Sequence, residues 1–77
     1  MFNISQPNAA GETMLYRFCF FDAEEHAAAT EELEVRSLID AMARAHMLLK
    51  ARPQHETIEV WLGNSLAYRA RRDRAAA

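Results

Sequence analysis

The chain has 77 residues and a mass of 8.8 kDa, enough for one small domain and too little for a second. It is 51% hydrophobic, yet fifteen of those residues are alanine, which leaves a modest core and no room for an enclosed cofactor pocket. A formal net charge of −2 with 26% charged residues excludes a globally basic nucleic-acid binder and a supercharged disordered tail.

Residues 1–13 hold Pro7, Gly11 and several amides without sustained periodicity, and read as a flexible lead-in to a single α+β domain over 14–71. Residues 72–77 read as a frayed tail. One cysteine, Cys19, excludes an internal disulfide. With no basic n-region and no apolar run near 20 residues, the chain reads as a soluble, cytoplasmic protein with no membrane partner. So small an unstapled core favours self-association.

Met14 to Asp22 is the strongest strand signal, dense in aromatics and free of helix breakers. Alternation places Met14, Tyr16, Phe18 and Phe20 on one side and Leu15, Arg17, Cys19 and Phe21 on the other. The acidic segment that follows has two readings. Thr30 could cap a long helix reaching Arg52, or Ala28 to Val35 could form a second strand with Leu33 and Val35 inward. The strand is preferred, because Ser37 and Asp40 have capping-box spacing and a cap belongs where a helix starts.

From Leu38 to Ala51, Leu38, Met42, Ala45 and Leu49 recur at helical spacing, with Ala41 and Leu48 beside the stripe. Pro53 ends this helix. Thr57 to Leu62 alternates, Gly63-Asn64 forms a turn pair, and Ser65 to Arg71 returns as a strand. The predicted architecture is β-β-α-β-β: one antiparallel-rich, four-stranded sheet with a single helix on one face. The expected core is Tyr16, Phe18, Phe20, Ile58, Val60, Leu62, Leu66 and Tyr68.

One helix covers one side of such a sheet. The uncovered side is expected to display Leu15, Arg17, Cys19, Phe21, Glu59, Trp61, Arg69 and Arg71, more apolar than a solvated face usually is. Aromatics and arginines are enriched at protein contacts. The resulting reading is a non-enzymatic interaction module that homodimerises, with Leu15, Arg17, Cys19, Phe21, Trp61, Arg69 and Arg71 at the interface. Two alternatives stand beside it. The same aromatics and arginines could bind single-stranded nucleic acid, against which the acidic segment and net charge argue. A small regulatory protein with an unknown protein partner is the other.

No catalytic, cofactor or metal residue is assigned. Histidines 26, 46 and 55 form no HxH, HExxH or Cys/His cluster. His46 reads as a boundary residue of the helix and His55 as a solvated loop residue. Cys19 reads as a small hydrophobe rather than a nucleophile. The opposed acidic middle and arginine-rich end could pair with each other, within or between subunits, or the arginines could form a solvated tail.

The opening Tyr16-Arg17-Phe18, the acidic hairpin, the alanine-rich helix and the closing Glu59-Val60-Trp61-x-Gly63-x-x-Leu66 resemble a family of small bacterial proteins of undefined function, common in alphaproteobacteria. The likeness spans Leu15 to about Arg71. It implies a small α+β unit and supplies no active site.

Overall fold

The computed structural model describes residues 12–72; the expected lead-in up to residue 11 and the tail from 73 lie outside them. Strand β1 (Met14–Phe21), strand β2 (Ala27–Val35), helix α1 (Leu38–Ala51), strand β3 (Thr57–Leu62) and strand β4 (Ser65–Arg71) follow in that order. They form one four-stranded antiparallel sheet in the order β2-β1-β3-β4, with the helix on one face. The fold is therefore α+β with β-β-α-β-β connectivity. No helix among the described residues is long and apolar enough to cross a membrane.

The aromatic strand β1 is central, where both neighbours satisfy its backbone. Its hairpin with β2 turns on Asp22, whose carboxylate accepts hydrogen bonds from the amides of Glu24 and His26, each at 2.9 Å. These bonds close an Asx turn and let Glu25 hold a positive φ of 68°. The amide of His26, foremost, and that of Glu24 lower the Asp22 pKa against an opposing desolvation effect.

The ambiguous segment is a strand, beginning one residue before the expected Ala28. Ser37 decides it. Its hydroxyl accepts from the Asp40 amide at 3.1 Å, so α1 starts at Leu38 and the glutamates before it are left extended. The β3–β4 hairpin turns at Gly63, whose φ of 61° suits a primed two-residue turn.

The core is Tyr16, Phe18, Phe20, Val35, Ala41, Ala45, Leu49, Ile58, Val60 and Ala70, with Ala29, Leu33, Leu48 and Tyr68 packed against it. The helix buries Ala41, Ala45 and Leu49, and these alanines let its backbone lie close to the sheet, nearest β3. Leu38, expected in the buried stripe, is exposed, as are Ile39 and Met47 on the outer side of α1.

Two expected core leucines are not in the core. Leu62, the last residue before the turn, stays exposed at the end of its strand. Leu66 changes sides. A bulge between Val60 and Trp61 shifts the β3–β4 register, so that Val60 faces Tyr68 but Trp61 faces Leu66. The extra residue of the bulge, Ala67, turns Leu66 to the face opposite the helix.

Candidate functional site

The face away from the helix is built in rows by the pairing register. Glu32, Arg17, Trp61 and Leu66 form one row across β2, β1, β3 and β4. Thr30, Cys19, Glu59 and Arg69 form the next, with Phe21, Thr57 and Arg71 beyond it. Leu15, opposite Glu34, occupies the far end. All seven residues assigned to the interface from sequence thus belong to this face by register, and the bulge adds Leu66.

Contacts across these rows are partly polar. The Arg17 guanidinium lies over the Trp61 ring, 5.7 Å from its centroid. The Trp61 Nε1 donates to Glu59 at 3.0 Å, and the other Glu59 oxygen lies 3.4 Å from Arg69 Nε. Arg69 also meets Glu25 at 3.2 Å, which draws the β1–β2 turn toward the open side and joins the acidic middle of the chain to its basic end. Surface ion pairs of this kind are each worth about 0–1 kcal/mol, so they organise the face more than they stabilise the fold.

The expectation of a bare, apolar face therefore needs correction. Trp61, Phe21, Cys19 and Arg17 are half-buried. The apolar side chains that remain open are aliphatic: Leu15 is 52% exposed and Leu66 is 47% exposed. They stand on either side of the Arg17–Trp61 pair. Charge divides the face along its width, with Glu32 and Glu34 on β2 and Arg69 and Arg71 on β4.

The other end of the molecule holds the groups that sequence reasoning misplaced. His55 is buried, not solvated: after Pro53 the chain folds back, and its ring lies 5.0 Å from that of Phe20. Arg52 covers the same Phe20 at 4.7 Å and pairs at 2.6 Å with Glu31, on the helix side of β2. Arg72, expected in the frayed tail, is instead fixed to the end of the helix. Its Nε and Nη2 donate to the carbonyls of Leu49 (2.5 Å), Arg52 (2.8 Å) and His55 (2.7 and 3.1 Å). The Leu49 carbonyl also accepts the Arg52 amide at 3.2 Å and the Arg52 carbonyl the His55 amide at 3.0 Å, so Arg72 adds a second donor to both, and a cation at the helix end complements its dipole. The sequence around Arg72 gives no local signal of such a role; only the pairing of β4 with β3 brings it there.

The histidines are engaged apart from Cys19. His46 is exposed and shares a 2.5 Å hydrogen bond with the Tyr68 hydroxyl, the His55 ring lies tilted against Phe20, and His26 lies 3.5 Å from Asp22. Asp22, Glu24 and His26 bring ligand atoms within 4.8 Å of one another, but they are surface groups and one Asp22 oxygen already serves the turn. Compared with protein-family models, curated proteins and solved structures, the chain has no match.

Proposed function

We propose that the protein is a non-enzymatic interaction module that pairs with a second copy of itself through the open sheet face. The observation that supports this most is the exposed pair Leu15 and Leu66 flanking Arg17 and Trp61, on a face acidic along β2 and basic along β4. A two-fold axis running along the strands, between β1 and β3, would stack each β2 over the other copy's β4. Acid then meets base on both sides, and the leucines are removed from water. A two-fold axis across the strands would place β2 on β2 and β4 on β4, like charge on like. Edge-to-edge pairing of either outer strand with itself meets the same repulsion from Glu31, Glu32 and Glu34 or from Arg69 and Arg71.

The single-strand nucleic-acid reading is less favoured. The Trp61 ring already carries Arg17 on it, and Glu25, Glu32 and Glu59 are interleaved with the arginines a phosphate backbone would need. The deciding variant is Leu66→Glu. Leu66 is exposed, so this change leaves the fold intact, whereas Trp61→Glu would also disturb Arg17 and Glu59. Sedimentation should show Leu66→Glu weakening self-association by about tenfold or more; an unchanged dimer would place the contact elsewhere.

A further inference from the structure

A second surface lies at the outer edge of β4, where the end of α1 passes over it. A cleft of about 430 Å³ is lined there by His46, Leu49, Lys50, Arg71 and Arg72. Among the described residues its lining contains no carboxylate, in a chain whose net charge is −2. Lys50 and Arg71 have no ion-pair partner among the described residues.

Arg72 is the most prepared of these groups. Four hydrogen bonds to three carbonyls fix its guanidinium, yet they use only Nε and Nη2. Nη1, with two N–H donors, has no partner among the described residues. The backbone adds another donor. The Arg72 amide bonds inward to the Glu56 carbonyl at 2.8 Å, so by antiparallel alternation the Arg71 amide faces outward from an edge strand. Leu49 supplies an apolar wall, and His46 with the Tyr68 hydroxyl borders the other end.

We infer that this cleft binds a compact dianion of the phosphate-monoester class, held by Arg72 Nη1, the Arg71 amide and the Lys50 ammonium. A fixed guanidinium with a spare fork loses little entropy on taking a tetrahedral anion, and an outward amide beside it adds a directed donor. The carbonyls at the helix end, which would repel an anion, are already covered by Arg72.

Backbone amide spectra of the full chain, titrated with inorganic phosphate and with phenyl phosphate, test the inference. The expected result is saturable shifts at Lys50, Arg71 and Arg72 with a Kd of about 1 mM or tighter for phenyl phosphate. Lys50→Gln, at an exposed position, should weaken binding by about tenfold. Absent shifts overturn the inference, as does equal binding by Lys50→Gln. A third arm uses a single-stranded oligonucleotide without terminal phosphate; tighter binding of it at these amides would assign the cleft to a phosphodiester backbone and also overturn the inference. None of these results depends on whether the open face forms a dimer.

Discussion

The two faces of the one sheet are made by opposite means. Under the helix, Phe18, Phe20, Ile58 and Val60 are completely buried and need only apolar shape. On the open side the same strands present Arg17, Trp61, Glu59 and Arg69, linked through polar contacts that leave two leucines in water. The comparison teaches that strand alternation sorts residues by side, but the sides are held by forces of different size. Burial acts at about 25 cal/mol per Å² over large rings, whereas each open-face contact is worth about 1 kcal/mol or less.

Truncation at the centre of the covered face should have the largest effect. Phe18→Ala is expected to cost about 3–5 kcal/mol in urea unfolding, close to the whole stability of so small a domain. Arg72→Gln comes next, because it removes a charged cap from the Leu49, Arg52 and His55 carbonyls. About 1–3 kcal/mol should be lost, with faster hydrogen exchange concentrated in the last turn of α1. A change of the opposite sign is expected at the open-face end of β3. Thr57 is fully buried and its Oγ1 has no hydrogen-bond partner among the described residues, so Thr57→Val should gain about 1 kcal/mol.

The smallest effect concerns the turn that leans on the open side. Asp22 has a lowered pKa in the fold, so its contribution is present above the unfolded value of 3.8 and is lost as pH falls through the folded value. Urea unfolding followed from pH 6 to pH 2 should show a drop in that acidic range that Asp22→Asn lacks. An equal drop in the variant would assign the acid sensitivity to other carboxylates.

Periodicity made most of the covered face legible. Tyr16, Phe18 and Phe20 alternate without interruption, Ser37 marks the helix start and Pro53 its end, and each signal is local. The failures are non-local. Leu66 alternates perfectly with Tyr68 and Ala70, and only the register of β4 against β3 inserts the bulge that moves it. His55 has loop composition, but the path of the chain after Pro53 lays it on Phe20. Arg72 looks like a tail residue until β4 delivers it to the helix end. The open face was legible as a set of residues but not as a surface, since the pairing of Trp61 with Glu59 and Arg17 depends on rotamers that strand alternation does not specify.

The central claim, that a second copy covers Leu15 and Leu66, is tested most directly by sedimentation velocity of the unmodified chain over a concentration series through the micromolar range. The account predicts a species of twice the chain mass whose population grows with concentration. A single species of 8.8 kDa throughout would contradict it.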